Sequence, residues 1–286
     1  MAWAAELARQ LPEVAWLSDA EAEAAPAGIT AAVVANPAPG RLVRLPDLRL
    51  IQSLWAGVDK LLADTTLPAH VPLARMVDPA MNAAMAETAL WAVLSLHRGF
   101  FAYQAQQRQG LWRPLPQRRA DEVPVLVLGR GQMGGTAAER LRAQGYPVQT
   151  WGRDDGDLRA RLATAQVVVN LLPLTPATRG LLGARAFAAL PRGAALVNLA
   201  RGAHVVDADL LAALASGQLA HAVLDVFHTE PLPPGHPFWQ HPAVTVLPHA
   251  AAATDERSAA AVVAANLRAL AAGAPIAHLV DRSRGY

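Results

Sequence analysis

Three side chains that could bind an anion and move a proton follow strand-like runs in the second half of the chain. Arg201 follows VNLA, Glu230 lies in the loop after LDVF, and His249 follows VTVLP. Arginine binds carboxylates through its planar fork, and histidine is a common general acid. Each residue alone could be a surface charge or an ordinary loop histidine. Because open α/β sheets bind ligands at the carboxyl ends of their strands, the ordered set predicts an active site.

A glycine-rich turn of the pattern G-x-G-x-x-G lies earlier in the chain, at Gly129, Gly131 and Gly134. The run VPVLVL before it predicts a strand, and a helix is predicted to open at Met133 or Gly134. The glycines would allow a tight turn, close approach of a pyrophosphate, and close packing of helix and strand. A glycine-rich turn without a ligand is the alternative. The strand–turn–helix context favours a dinucleotide site at the helix N-terminus, with Gln132 and Met133 beside the phosphates.

The end of the next strand bears on which dinucleotide is bound. Sites for NAD usually carry an acidic side chain there, which bonds the ribose 2′-OH. Here YPVQTW is followed by Gly152 and Arg153, and an arginine suits a 2′-phosphate. Asp154 and Asp155 follow and work against this interpretation, and Arg153 could also be a solvated loop charge. The sequence therefore predicts NADPH as the preferred cofactor, with NADH possible.

The elements that position these residues alternate between strand-like and helical runs, which predicts an α/β fold with parallel sheets. The first 78 residues predict a helix at AWAAELARQL and strands at VAWLS, AAVVAN and RLIQSLW. An apolar stripe at helical spacing predicts one long helix over 82–109. Between Val123 and about Leu247 the sequence predicts six apolar strands with five connections, the number typical of a doubly wound fold. A last helix is predicted over 254–272.

Length and composition limit the classes of protein that are possible. At roughly 100–200 residues per domain, 286 residues predict about two domains. With 53% hydrophobic and 17% charged residues the chain can bury cores, which argues against disorder. The absence of cysteine excludes disulfides, cysteine-ligated zinc and a thiol nucleophile, and it suits the reducing cytoplasm. We expect no metal site.

Charge and hydropathy make nucleic-acid and membrane partners unexpected. The pI of about 9.5 overstates the excess of basic residues, because 25 basic and 23 acidic residues give a formal charge of only +2. We find no basic run interleaved with aromatic residues, so nucleic-acid binding is not expected. The most apolar stretch, 79–96, contains Asn82 and Glu87, which argues against a transmembrane helix. The first residues lack a basic region followed by an apolar run, so we expect no secretory leader.

Several longer motifs resemble one enzyme family over essentially the whole chain. The segments LPLTPATRG, NLARGAHVVDADLL, LDVFHTEPLP and PHAAAAT, together with the glycine loop, are similar to the D-isomer-specific 2-hydroxyacid dehydrogenases. The segments SLWAGVDKLL, QGLWRPLP and VDRSRGY resemble the glyoxylate/hydroxypyruvate reductase A branch of that family.

This resemblance implies a fold of two doubly wound parallel-sheet lobes. A Rossmann-type nucleotide domain, residues 81–256, would be inserted into a smaller flavodoxin-like substrate lobe formed by residues 1–80 and 257–286. It also implies a homodimer built through the nucleotide domain, with the 82–109 helix and the Trp112 loop as the contact surface. Trp112 could equally form a local cap over the core of its own subunit, and we expect a cytoplasmic protein. Family members usually open with a strand, whereas this chain begins in the following helix, so we expect a mis-assigned start or a missing segment.

The resemblance assigns roles to the three strand-end residues in the reduction of a small 2-oxoacid. His249 would donate a proton to the ketone oxygen, Glu230 would orient its imidazole and favour the charged form, and Arg201 would bind the substrate carboxylate. Ala250 stands where family members more often have isoleucine. The backbone beside Trp55 would hold the same carboxylate, and other residues would contact the cofactor. These further implied contacts are Ala56, Gly57 and Val58 for the substrate, and Asp225, Leu172, Pro173 and Thr175 for the cofactor.

Two other functions remain open at this point. The chain could be a different D-2-hydroxyacid dehydrogenase, acting on lactate or phosphoglycerate, although we see neither an added regulatory domain nor a basic cluster for a substrate phosphate. It could also be a dinucleotide-sensing binding protein without turnover, like the corepressors built on this fold. Oxidation of NADPH in the presence of glyoxylate separates an enzyme from a protein that only binds the cofactor.

Overall fold

The computed structural model describes residues 2–286, which form two compact units. One unit contains the residues up to Met81 together with Thr254–Tyr286, and the other contains Asn82–Ala253. Both are built from parallel strands and helices, so the predicted α/β class is confirmed. In residues 2–286 no helix is long and apolar enough to span a bilayer.

The first unit contains a three-stranded parallel sheet in the order β1-β2-β3. Its core gathers buried aliphatic side chains such as Ile51 and Leu73. The elements of this part of the chain are α1 (Ala2–Gln10), α2 (Asp19–Ala24), β1 (Ala31–Val34), β2 (Leu50–Ser53), α3 (Asp59–Leu62) and β3 (Leu73–Ala74).

One predicted strand of this unit, VAWLS, is wrong. Residues 14–18 form no ladder with any neighbour, and the side chain of Leu17 is half exposed. Ser18 instead caps α2: its Oγ accepts from the N–H of Glu21, while the Glu21 carboxylate accepts from the N–H of Ser18 at 2.7 Å. A short apolar run does not make a strand where no partner strand is available. The short elements α2, α3 and β3 were not predicted.

The second unit contains a six-stranded sheet, as predicted, with every pair parallel. The strands lie in the order β5-β4-β6-β7-β8-β9, so the direction of winding reverses at β4. This reversal is the topological switch point at which such sheets bind ligands. Its strands are β4 (Val125–Leu128), β5 (Val148–Trp151), β6 (Val167–Asn170), β7 (Ala194–Asn198), β8 (Leu219–Leu224) and β9 (Val244–Val246).

Both faces of this sheet are covered. Leu126 and Leu128 of β4 belong to one buried cluster, whereas the alternate residues Val125 and Val127 belong to another. This burial explains why the strands read as continuous apolar runs rather than as alternating ones. The helices are α4 (Pro79–His97), α5 (Phe100–Arg108), α6 (Gln132–Ala143), α7 (Leu158–Leu162), α8 (Ala184–Ala189) and α9 (Asp207–Ala215).

The long helix predicted over 82–109 is in fact two helices, because α4 ends at His97 and α5 begins at Phe100. Gly99 between them has a φ of +72°, in the left-handed region. A Cβ at this position would also lie 3.1 Å from Cδ1 of Leu115. Glycine therefore interrupts the helix although the apolar stripe continues through it.

The chain returns to the first unit in α10 (Glu256–Ala272). Asp255 caps the start of α10 by accepting from the N–H of Arg257 at 2.9 Å, and Gly273 ends it with a φ of +64°. The buried side chain of Asn266 donates to Gln52 of β2 at 2.7 Å. This bond joins the last helix to the small sheet in the core of the same unit.

Candidate active site

The glycine loop joins β4 to α6 at the switch point of the large sheet. Gly129 has a φ of +104°, and a Cβ there would lie 2.7 Å from the carbonyl oxygen of Leu171. A Cβ at Gly134 would lie 2.0 Å from the carbonyl oxygen of Gly129. Neither position accepts a side chain without backbone movement. The helix begins at Gln132, slightly before the predicted Met133 or Gly134.

The N-terminus of α6 fits an anionic group such as a pyrophosphate. Gly131 is the N-cap residue and makes no side-chain capping bond, and a Cβ there would meet no atom within 4 Å. The first N–H groups of α6 thus lack a side-chain cap, and the helix dipole favours negative charge at this end. Gln132 is exposed beside this space, whereas Met133 packs partly against the core.

The end of β5 is shaped by an arginine that the sequence interpretation did not single out. Gly152 is buried, and Arg153 is exposed in the turn that follows. The Arg130 side chain, from within the glycine loop, reaches this turn, where its Nη1 donates to Asp155 at 2.7 Å. Asp155 also accepts from the N–H of Gly152 at 2.7 Å. An arginine within the glycine motif was the signal that could have indicated this contact.

Two buried asparagines connect the loops after β6 and β7. Asn170 Nδ2 donates to Asn198 Oδ1 at 2.9 Å. Asn198 Nδ2 in turn donates to the carbonyl oxygen of Arg201 at 3.0 Å. The predicted cofactor residues of the first loop follow Asn170 directly, and sequence reasoning did not identify either asparagine. In this loop Leu172 and Thr175 are buried and Pro173 is partly exposed.

Arg201 directly follows the turn after β7 and is partly buried. Its Nη1 donates to the carbonyl oxygen of Ala200 at 2.8 Å. The next residue, Gly202, packs directly on the backbone of Phe227: a Cβ on Gly202 would lie 2.0 Å from the Phe227 carbonyl carbon. Glycine at this position therefore allows the loop that bears Glu230 to approach the Arg201 turn.

Glu230 and His249 form a hydrogen-bonded pair. Glu230 Oε2 lies 2.8 Å from His249 Nδ1, and Glu230 Oε1 accepts from the N–H of Phe227 at 2.9 Å. A carboxylate can only accept, so Nδ1 carries the proton and Nε2 is the nitrogen left for a reacting group. Burial raises the pKa of Glu230. This effect is outweighed by the hydrogen bonds from Phe227 and His249 and by the charges of His249 and Arg201, so the net pKa lies below the usual range.

The backbone around His249 is held by Asp225, at the end of β8. His249 has a φ of +55°, and its N–H donates to the carbonyl oxygen of Asp225 at 2.9 Å. The Asp225 carboxylate accepts from the N–H groups of Ala250 at 2.7 Å and Ala251 at 3.1 Å. Burial raises the pKa of Asp225. The structure thus shows Asp225 positioning the histidine segment, and its contact with a nicotinamide amide stays a prediction.

The predicted substrate loop belongs to the first unit and follows β2. Trp55 is exposed, Ala56 and Gly57 are partly exposed, and Val58 is buried at the start of α3. Ser53 fixes this turn, since its Oγ accepts from the N–H of Trp55 at 3.0 Å.

The second unit therefore places a guanidinium, a carboxylate and an imidazole after three neighbouring strands. Arg201 follows β7, Glu230 follows β8 and His249 follows β9. Such a set can bind a carboxylate and transfer a proton without a metal. Across the part of the chain that the structure describes, no cluster of three or more histidine or acidic side chains could hold a metal ion.

Comparisons with known proteins point to one family. Residues 90–251 match the profile of the family described as "D-isomer specific 2-hydroxyacid dehydrogenase, NAD binding domain". The glyoxylate/hydroxypyruvate reductase A of Serratia proteamaculans (strain 568) is 42% identical, with 99% of this chain and 96% of that protein covered. The protein of the same name from Yersinia enterocolitica is 41% identical over 89% of this chain and 87% of its own.

Solved structures agree with this result. A D-isomer specific 2-hydroxyacid dehydrogenase from Xanthobacter autotrophicus Py2, in complex with NADPH and MES, matches with a TM-score of 0.94 and 40% identity, covering 99% of this chain and 95% of that one. An NADPH-dependent glyoxylate/hydroxypyruvate reductase from Sinorhizobium meliloti, in complex with NADP and sulfate, matches with a TM-score of 0.91 and 36% identity, covering 99% and 96%. The chain belongs to the D-isomer-specific 2-hydroxyacid dehydrogenase family.

Proposed function

We propose that this protein is an NADPH-dependent reductase of small 2-oxoacids, with glyoxylate and hydroxypyruvate as its substrates. The observation that supports this most is the 2.8 Å pair of Glu230 and His249 in the same unit as Arg201 and the glycine loop. This pair provides a proton donor, and Arg201 provides a partner for a carboxylate. The relatives named glyoxylate/hydroxypyruvate reductase A support the choice of substrate.

The reaction follows from the chemistry of these residues. The reduced nicotinamide, when bound, supplies a hydride to the carbonyl carbon of the 2-oxoacid. Arg201 binds the substrate carboxylate and draws electron density from the neighbouring carbonyl. His249 donates the proton at Nε2 to the carbonyl oxygen as negative charge develops there. Glu230 keeps Nδ1 protonated and offsets the positive charge of the imidazolium before that transfer.

The remaining site residues have proposed binding roles. The Trp55 turn, with the N–H groups of Ala56, Gly57 and Val58, would bind the substrate carboxylate. Residues 81–256 would be the nucleotide domain, and residues 1–80 with 257–286 the substrate lobe. The cofactor would contact the glycine loop and the following residues: Gly129, Gly131, Gln132, Met133, Gly134, Leu172, Pro173, Thr175 and Asp225.

Cofactor choice depends on the end of β5, where Gly152 has no side chain and therefore contributes no carboxylate of its own to repel a 2′-phosphate. Arg153 follows in the exposed turn and would pair with that phosphate. We expect kcat/KM to be higher with NADPH than with NADH, and Arg153→Ala to reduce that ratio. Equal use of NADH by the wild-type protein would contradict the proposed preference.

The function is tested by following NADPH absorbance in the presence of glyoxylate, hydroxypyruvate, pyruvate and phenylpyruvate, with NADPH binding measured in parallel by fluorescence. The proposal predicts turnover, with glyoxylate and hydroxypyruvate as the best substrates. Tight NADPH binding without turnover of any 2-oxoacid would instead indicate a dinucleotide-sensing protein. Faster turnover of pyruvate or phenylpyruvate would indicate a different dehydrogenase of the same family.

We also propose that the protein is a cytoplasmic homodimer whose subunits contact each other through the second unit. The side chains of Phe100 and Leu111 are each half exposed, and Trp112 is 97% exposed. Large exposed apolar residues of this kind are typical of interface anchors. Light scattering at micromolar concentration should give a dimer, and Trp112→Ser should weaken it. A wild-type monomer would contradict this proposal.

A further inference from the structure

Arg130 occupies the space beside the last residues of β5. It stands between the first two glycines of the motif, and its side chain runs across Gly152. A Cβ added to Gly152 would lie 3.0 Å from Nε and 3.2 Å from Cγ of Arg130. Gly152 is the first residue after β5, where an NAD-binding sheet would place its acidic side chain. The Arg130 side chain thus occupies the space that a side chain at position 152 would fill.

Acidic side chains of the following turn hold the Arg130 guanidinium in place. Nη1 donates to Asp155 Oδ1 at 2.7 Å, and Nη2 lies 3.6 Å from Asp154 Oδ2. Asp155 is itself fixed, because its second oxygen accepts from the N–H of Gly152. Its charge is therefore directed at Arg130. The Arg130 side chain nevertheless remains about half exposed, at 48%, so it is accessible to a ligand.

We propose that Arg130 is a specificity-determining residue that binds the 2′-phosphate of the cofactor, in addition to Arg153, and that Asp155 positions it. This inference rests on the proposed use of NADPH. A guanidinium can bind a phosphate through two parallel N–H bonds, and its planar face can stack on an aromatic ring such as adenine. Arg130 is the arginine that lies against the strand end itself. Asp154 and Asp155, whose charges work against NADPH binding, are thus paired with Arg130 in the structure.

The test measures binding rather than turnover. Dissociation constants for NADPH and NADH are determined by fluorescence titration at one fixed ionic strength, for the wild-type protein and for Arg130→Gln. A charge-assisted hydrogen bond corresponds to roughly tenfold or more in affinity, so the NADPH/NADH affinity ratio should fall by about that factor. Arg140→Gln is the matched control, because it removes the same charge from an exposed position on α6, and it should leave the ratio unchanged.

Asp155→Asn separates phosphate binding from a purely structural role. If Arg130 merely held the turn through its ion pair, Asp155→Asn would weaken NADPH binding as much as Arg130→Gln does. If Arg130 binds the phosphate, Asp155→Asn keeps the guanidinium and an Oδ1 that can still accept its hydrogen bond and position it. The variant also removes a nearby negative charge, so the NADPH/NADH ratio should be retained or rise.

The outcomes distinguish this inference from the function on which it rests. A wild-type protein that prefers NADPH, with an unchanged ratio in Arg130→Gln, would overturn the role of Arg130 alone. Equal loss of NADPH and NADH affinity in Arg130→Gln would overturn it as well. A wild-type protein that binds both cofactors equally would overturn the proposed NADPH preference itself.

Discussion

Gly202 and Phe227 are in direct backbone contact: a Cβ on Gly202 would lie 2.0 Å from the Phe227 carbonyl carbon and 2.4 Å from its Cα. Each residue belongs to a loop that bears a proposed catalytic group. Gly202 follows Arg201, and the N–H of Phe227 donates to Glu230 at 2.9 Å. The distance between the Arg201 guanidinium and the carboxylate of the Glu230–His249 pair therefore depends on a position without a side chain.

Gly202→Ala should damage activity and stability together. The added methyl group cannot be accommodated without moving the Phe227 backbone, and overpacking of this kind costs about 1–3 kcal/mol. We expect a lower melting temperature and a kcat reduced by about tenfold or more, as Glu230 loses its alignment with His249. Gly235→Ala is the control, because a Cβ there meets no atom within 4 Å. Wild-type melting and turnover in Gly202→Ala would show that the loop adapts freely.

Arg201→Lys should raise KM for glyoxylate strongly and also lower kcat. An ammonium group retains the charge but cannot form the two parallel bonds that a guanidinium makes with a carboxylate. Steady-state kinetics at saturating NADPH measures both constants. Arg185→Lys, an exposed arginine on α8, is the control for the same substitution. If glyoxylate kinetics do not respond to Arg201→Lys, the carboxylate binds elsewhere.

Glu230→Gln should change the pH dependence of reduction. The pKa of Glu230 lies below its ordinary value of 4.5, so the wild-type carboxylate keeps its charge until the pH falls below that value. The neutral amide of glutamine cannot stabilise the imidazolium of His249. The acid limb that protonation of Glu230 gives to the kcat/KM profile of the wild-type protein should therefore be absent from the variant, with kcat reduced by up to about 10². The control is Glu139→Gln, exposed on α6. An unshifted profile in Glu230→Gln would contradict this role.

The burial of His221 leads to a prediction about stability rather than activity. Burial, and secondarily the charge of His241, lowers the pKa of His221 to about 4. The unfolded chain binds a proton near 6.5, so stability falls as the pH decreases from about 6.5 to about 4. His221→Gln should remove on the order of 2 kcal/mol of this loss, after allowance for partial exposure.

Urea unfolding at pH about 7.5 and about 5 measures this difference. The wild-type protein should lose more stability between the two conditions than His221→Gln, while the exposed His70→Gln should behave like the wild type. An identical loss in the wild type and in His221→Gln would mean that His221 is protonated in the folded protein.

The large sheet and its glycine loop could be predicted from the sequence because the local pattern of apolar residues and glycines determines both. Strands such as Val125–Leu128 are continuous apolar runs, and the packing of Gly134 on Gly129 leaves room for no other residue type. The motif spacing also located the strand-end residues. The local sequence pattern gave the wrong element at two places. Residues 14–17 are an apolar run that has no strand partner, and Gly99 interrupts an otherwise continuous apolar stripe.

The supporting contacts of the site could not be predicted, because they join residues that are distant in sequence. Asn170 meets Asn198 across two strands, and Arg130 meets Asp155 across the glycine loop. Asp225 likewise holds the N–H groups of Ala250 and Ala251 from the neighbouring strand end. Nothing in the spacing of these residues indicates the contact, because register and loop path determine it.

The most direct test of the whole account is single-turnover reduction of glyoxylate by NADPH in His249→Ala, with the dissociation constant of NADPH measured on the same preparation. A positioned general acid contributes about 10²–10⁴ to the rate, so we expect the chemical step to slow by that factor. NADPH affinity should be unchanged, because His249 acts on the substrate. Near wild-type turnover in His249→Ala would contradict the mechanism.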